Sequence, residues 1–174
     1  MKTFYDDLIE KLSMYPEEET KSLIANLKTI TRPAFIVGNG GSAAIASHVA
    51  EDFTKVAGVC MKTYNDVSLM SCLANDYGWD KWVEQAIQLY SEKNTVGIFI
   101  SSSGTSPNII NGCKKANEHG IYTVTLTGFN SNNPLRQLGS LNFWVPSKEY
   151  NIIELVHEAW LLSVCDQIAI ERRV

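Results

Sequence analysis

Two serine- and glycine-rich loops contain the residue types in this sequence that are best suited to binding an anion. The first lies within AFIVGNGGSAAIASHVAEDF at 34–53, and the second within VGIFISSSGTSPNIINGCKKA at 96–116. Each loop follows a run of β-forming residues and precedes apolar residues at helical spacing. Backbone N–H groups at the start of a helix attract anions. The hydroxyls that can add donors belong to Ser42, Ser101, Ser103 and Ser106. Two such junctions together predict a site for a phosphate ester.

Each loop also has an alternative interpretation. Ser102 and Ser106 are typical of turns and helix N-caps, and a capping hydroxyl at Ser106 can contact a ligand as well. The first loop matches the G-x-G-x-x-A dinucleotide fingerprint through Gly38, Gly40 and Ala43. A dinucleotide site does not explain the second serine cluster, however, and neither loop has the Gly-Lys-Ser/Thr ending of a P-loop. We therefore expect no nucleotide cofactor.

Two pairs of titratable residues have the spacing that places both side chains on one helix face. His48 and Asp52 are four residues apart, and Glu154 and His157 are three apart. The first pair could share a metal ion or bracket a substrate, and the second is a carboxylate–imidazole pair suited to moving a proton. The alternatives are a hydrogen bond along a helix for the first pair and a surface ion pair for the second. The metal set that we predict is His48, Asp52 and Glu154.

The order of predicted elements places these residues in an α/β fold. Strand-like runs occupy 34–38, 60–64, 96–101, 121–126 and 142–146. Helical patterns occupy 2–13, 17–30, 43–57, 79–90 and 106–118, and a long terminal helix carries Glu154 and His157. This alternation predicts a three-layer αβα sandwich with a five-stranded parallel sheet, and ligands bind at the carboxyl ends of such strands.

Length and composition predict a single domain over 1–174. Its N-terminal helices, 1–32, would pack in an oligomer, and 33–174 would form the α/β core. The net charge is −4 and the basic residues are scattered, which argues against nucleic acid as a partner. The four cysteines form no CxxC pair, which favours a reduced, cytoplasmic setting. No apolar run approaches the roughly 20 residues of a membrane helix, so we expect no membrane association.

A series of motifs resembles the sugar isomerase (SIS) domain family, and within it the small phosphoheptose isomerases. These motifs are GNGGSA, SHVAEDF, CLANDYG, ISSSGTSPN and the ExxH of IIELVHEAWLL, and they extend over nearly the whole chain. The resemblance implies a flavodoxin-like sheet, a sugar-phosphate ligand and a homotetramer with sites between subunits. It implies an aldose–ketose isomerase that supplies precursors of nucleotide sugars or surface polysaccharides such as lipopolysaccharide.

The resemblance also implies roles for individual residues. Ser101, Ser102, Ser103 and Ser106 would hold the phosphate. Asn39, Gly40, Gly41, Asn75 and Asp76 would line the sugar. The residue matching Asp52 is a glutamate in the family, where it serves as zinc ligand and acid–base. The terminal helix in the family carries a glutamine and two histidines, which match Glu154, His157 and Leu162.

Leu162 leaves two functions open, because leucine can neither bind zinc nor transfer a proton. The first is a sugar-phosphate isomerase in which Asp52, Glu154 and His157 carry the chemistry. The second is a non-catalytic SIS module that binds a sugar phosphate and regulates a protein partner.

Overall fold

Five parallel strands form one sheet in the computed structural model, which describes residues 3–173. The strands are β1 (Ala34–Val37), β2 (Met61–Thr63), β3 (Val96–Ser101), β4 (Tyr122–Thr127) and β5 (Leu141–Trp144). Their spatial order is β2-β1-β3-β4-β5, which is the flavodoxin-like order. The predicted five-stranded parallel sheet is therefore confirmed.

Among residues 3–173, seven α-helices surround the sheet, and two of them precede the first strand as predicted. They are α1 (Phe4–Ser13), α2 (Glu17–Thr29), α3 (Gly41–Lys55), α4 (Val67–Tyr77), α5 (Trp82–Tyr90), α6 (Pro107–Glu118) and α7 (Tyr150–Arg173). A short 3₁₀ helix, Trp79–Lys81, precedes α5. Residue 2, where the first predicted helix begins, lies outside the described residues. The α4 helix was not predicted from the sequence.

Apolar side chains cover both faces of the sheet, so the fold has three layers. Ile36 of β1 packs with apolar residues of α2, α3 and α7 in one core. The next residue along the strand, Val37, packs with residues of α4, α5 and α6 in the other core. Successive side chains of a strand point to opposite faces, so each short strand contributes to both cores.

The two loops leave the sheet from neighbouring strands. β1 and β3 are paired, with Val37 opposite Phe99, so both strands end at the same edge. The chain after β1 crosses to β2 on one side, whereas β3 and β4 continue on the other. This position is the switch point of the sheet, where α/β folds form their ligand crevice.

None of the helices within residues 3–173 is both long and apolar enough to cross a membrane.

Candidate functional site

A pair of side-chain amides joins the two serine- and glycine-rich loops. Nδ2 of Asn39 donates to Oδ1 of Asn108 at 3.0 Å, and Nδ2 of Asn108 donates back to Oδ1 of Asn39 at 2.9 Å. Asn39 follows β1, while Asn108 is a completely buried residue in the first turn of α6. The amide pair therefore fixes the starts of α3 and α6 side by side.

Within the described residues, neither of these helices has a side-chain cap at its start. Gly40 is the N-cap of α3, with φ of 54°, a conformation that favours glycine. Ser106 is the N-cap of α6, but its hydroxyl accepts a hydrogen bond from Ser101 Oγ at 3.2 Å instead of capping the helix. Uncapped helix starts keep backbone N–H groups available for an anion.

A small cavity lies between the loops, and we call it the serine cradle. Its volume is about 120 Å³. Its lining consists of Asn39, Ser42, Ile100, Ser101, Ser102, Ser103, Ser106, Tyr150 and Glu154. The hydroxyl of Ser102 is buried and has no hydrogen-bond partner among residues 3–173. A buried hydroxyl without a partner is costly, so a ligand acceptor brought within reach of Ser102 Oγ would be favourable.

A larger cleft adjoins the serine cradle, and Glu154 lines both. This cleft has a volume of about 560 Å³ and lies between α3 and α7. The carboxylate of Glu154 lies against the first residue of α3, because a Cβ added to Gly41 would come within 2.2 Å of Oε2. Burial raises the pKa of Glu154 above its ordinary value. A raised pKa brings a carboxyl closer to the range in which it can both take up and release a proton.

The half-exposed ring of His48 lies on the wall of this cleft between two carboxylates. Nε2 lies 3.3 Å from Oδ2 of Asp52 on the same helix, so the contact expected from the sequence spacing is present. Nδ1 lies 2.7 Å from Oε1 of Glu158 on α7. The hydrogen bond to Glu158 is the main reason that the pKa of His48 is raised.

The zinc set predicted from the sequence does not come together in the described structure. Among residues 3–173, no group of three His, Cys, Asp or Glu side chains is placed to hold a metal ion. Both ring nitrogens of His48 already face carboxylates, and it is Glu158 rather than Glu154 that contacts the ring. The arrangement therefore does not fit zinc, and we derive no chemical step through a metal.

His157 does not pair with Glu154, although the spacing of three residues predicted a shared face. The ring of His157 is completely buried, and its Nε2 lies 3.1 Å from the carbonyl oxygen of Thr127 at the end of β4. The surface ion pair that we considered as the alternative is also wrong. Residues three apart on a helix lie close together around its axis, but the edge of the buried stripe can fall between them. One residue is then buried while the other is not. His157 thus ties α7 to the sheet one turn after Glu154.

Burial of His157 predicts a loss of stability in acid. Burial lowers its pKa from 6.5 to about 4, so the unfolded chain takes up a proton first as the pH falls. The contribution of neutral His157 to the free energy of unfolding is fully present above pH 6.5 and is lost as the pH falls from there to about 4. The expected loss is about 3 kcal/mol of unfolding free energy.

Urea unfolding of the parent protein and of His157→Gln near pH 7 and pH 4 measures this contribution. Glutamine can still donate to the Thr127 carbonyl but does not titrate, so the variant should lose less stability in acid. Equal losses in the two proteins would contradict the assignment of the acid sensitivity to His157.

Asn75 and Asp76 do not reach the serine cradle of their own chain. Both are exposed near the end of α4, where Nδ2 of Asn75 donates to Oδ1 of Asp76 at 2.9 Å. The two residues of the CLANDYG motif that were expected to line the sugar therefore lie on the surface of this chain. A role in lining a sugar would require a second copy of the protein.

Three residues of the site were missed in the sequence. Asn108 donates a hydrogen bond to Asn39 in the first loop, Tyr150 lines the serine cradle, and Glu158 contacts His48. Glu158 lies four residues after Glu154, so helical spacing could have placed both on one face. Tyr150 had no such signal, because it lies close to the cradle only through the packing of α7.

The chain belongs to the SIS domain family, whose model matches residues 18–128. Its relatives include phosphoheptose isomerases. It is 31% identical over 169 residues to the phosphoheptose isomerase of Aliarcobacter butzleri, which covers 92% of this chain and 87% of that protein. The solved phosphoheptose isomerase of Neisseria gonorrhoeae superposes with a TM-score of 0.85 at 25% identity, over 94% of each chain. That of Francisella tularensis has a TM-score of 0.82 at 21% identity, over 95% of this chain and 92% of that one, and supports the fold.

Proposed function

We propose that the protein is a sugar-phosphate isomerase of the phosphoheptose type. The reaction would interconvert sedoheptulose 7-phosphate and glycero-manno-heptose 7-phosphate. A base removes a proton from the carbon next to the carbonyl, an enediolate forms, and the proton returns to the neighbouring carbon. The hydroxyl on the first carbon loses its proton as the former carbonyl oxygen gains one, so the two sugars have the same composition.

The observation that carries this proposal is that the serine cradle and the larger cleft share Glu154 in their linings. The cradle, at about 120 Å³, is much smaller than an ordinary ligand pocket of about 300–1,000 Å³. It suits a phosphoryl group, which carries close to two negative charges and accepts hydrogen bonds at three oxygens. The adjoining cleft of about 560 Å³ provides the space for the sugar.

Glu154 is the carboxylate best placed to move the proton. It lines both cavities, so a sugar with its phosphate in the cradle and its carbon chain in the cleft would lie beside it. Asp52 is the second proposed acid–base, and its Oδ2 lies 3.3 Å from Nε2 of His48, a residue that lines the cleft. Hydrogen bonds to the phosphate would fix the reacting carbons near these carboxylates, which is how binding energy lowers the barrier of a chemical step. His157 supports the site through its contact with β4, instead of transferring a proton itself.

Deuterium incorporation tests the proposal. The protein is incubated with sedoheptulose 7-phosphate in deuterated water, with and without added zinc, and the sugar is analysed by NMR. We expect deuterium on the carbon next to the carbonyl in wild-type samples. The two arms also test whether zinc, which the family resemblance implies for His48, Asp52 and Glu154, has any effect.

Leu162 favours one other function, that of a non-catalytic sugar-phosphate sensor. Its partly buried side chain packs against the first core at the position where the family resemblance implies a histidine. A sensor would bind the sugar phosphate, measured by calorimetry, without any exchange of deuterium. Binding without exchange would therefore reject the isomerase and favour regulation of a protein partner.

A homotetramer in the cytoplasm completes the proposal, with a role in supplying heptose precursors of surface polysaccharides. Phe4 and Ile9 of α1 and Leu155 of α7 are exposed apolar side chains that a second copy would cover. Light scattering should give four times the 19.4 kDa chain mass, and a monomer would reject the assembly. Recovery of the protein with membranes on cell fractionation would reject the location.

A further inference from the structure

Glu158 is the one carboxylate in the cleft that neither the sequence motifs nor the family resemblance assigns to a role. Its Oε1 lies 2.7 Å from Nδ1 of His48, which is the shorter of the two contacts to that ring. Glu158 is on α7 and His48 is on α3, so the contact spans the cleft between the two helices. Both residues line the cleft together with Glu154.

The two contacts of the His48 ring are not equivalent. A carboxylate only accepts hydrogen bonds, so the close Nδ1 contact requires a proton on Nδ1. The longer contact, 3.3 Å from Nε2 to Asp52, joins residues of the same helix and can be exchanged for a ligand without moving α7. In many active sites a carboxylate accepts a hydrogen bond from one ring nitrogen of a histidine. This contact orients the ring and leaves the other nitrogen free to react.

We propose that Glu158 is a positioning residue that holds the His48 ring so that Nε2 meets the sugar. His48 and Glu158 would then supply an oriented imidazole in the cleft, in a chain that has Leu162 in place of the histidine that the family resemblance implies. This inference rests on the proposed isomerase function. It identifies Nε2 as the reactive nitrogen of His48 and Glu158 as the residue that leaves Nε2 free to react.

Kinetics of Glu158→Ala and Glu158→Gln test the positioning role. A misoriented ring should lower kcat by about 10–100-fold and change KM by less than about 3-fold, because Glu158 does not bind the phosphate. Glu158→Gln keeps a side-chain oxygen that can accept from Nδ1 and should restore part of the lost kcat. Asp166→Asn is the matched control, since it removes one exposed carboxylate from the same helix.

NMR of the imidazole nitrogens gives a readout that does not depend on activity. The sequence has three histidines, so a His48→Gln variant assigns the His48 signals. Near pH 9, well above the ordinary imidazole pKa of about 6.5, the neutral ring should carry its proton on Nδ1. In Glu158→Ala the Nε2-protonated form should increase, while Asp166→Asn should match the parent.

The outcomes separate this inference from the proposed function. A parent protein without deuterium exchange but with Nδ1-protonated His48 would reject the isomerase and retain the orienting contact. An active parent in which both Glu158 variants keep full kcat and an unchanged His48 tautomer would overturn the positioning role. Circular dichroism of each variant verifies that α7 is folded.

Discussion

A Glu154→Gln variant is expected to lose about 10²–10⁴-fold in kcat while it binds sugar phosphate at least as tightly as the parent. The range is that of a general acid–base, whose removal leaves positioning and binding in place. Binding should not weaken, because Glu154 borders the serine cradle and its negative charge repels a phosphate dianion. Turnover and calorimetric affinity, measured on the same preparations, give the two numbers.

The combination of a lower kcat with a retained affinity distinguishes a chemical role of Glu154 from a structural one. A variant that was merely misfolded would lose affinity together with kcat. Glu149→Gln is the matched control, because it makes the same chemical change at an exposed position just before α7. If Glu154→Gln retains parental kcat, Glu154 is not the base and the assignment moves to Asp52.

A double variant tests whether Glu154 replaces the histidine that the family resemblance implies at position 162. The family resemblance implies glutamine at 154 and histidine at 162, so Glu154→Gln with Leu162→His rebuilds that pair. We expect the double variant to regain part of the kcat lost by Glu154→Gln alone, because a histidine at position 162 can transfer a proton and leucine cannot. No recovery would show that Glu154 does not replace the missing histidine.

The fold could be predicted from the sequence because its signals are local and redundant. Ile36 and Val37 belong to one apolar run, and their side chains are buried in the cores on opposite faces of the sheet. The serine-rich turns mark the ends of β1 and β3. The α4 helix was missed because only Leu73 of its residues is buried, so its apolar periodicity is weak. Asp66 caps α4 by accepting from the N–H of Leu69, and that cap was the available signal.

The site could be predicted only in part, since it depends on how α7 lies against α3. The two loops follow neighbouring strands, so their serines converge for a topological reason. Helical spacing, by contrast, cannot tell which residues of α7 enter the core. His157 enters the core, while Glu158 next to it faces His48.

The phosphate contacts give the second large effect that we expect. Ser101→Ala combined with Ser103→Ala should weaken sugar-phosphate binding by about 2–4 kcal/mol, through two lost hydrogen bonds to a charged group. That range corresponds to about 30–1,000-fold in the dissociation constant. Among residues 3–173, Ser101 Oγ donates to Ser106 Oγ, and Ser103 Oγ contacts the hydroxyl and the N–H of Thr105. These contacts are local, so the melting temperature should change little. Calorimetry and thermal unfolding measure the two effects.

Ser102→Ala provides the sharpest version of this test. The Ser102 hydroxyl is buried and lacks a partner among residues 3–173, so its removal costs the folded protein no hydrogen bond. Stability should stay the same or rise, whereas binding of the phosphate should weaken by about tenfold, as for one hydrogen bond. Ser47→Ala is the control, because that hydroxyl donates to the carbonyl of Ala43 within α3. Unchanged affinity in Ser102→Ala and in the Ser101/Ser103 double variant would mean that the serine cradle does not hold the phosphate.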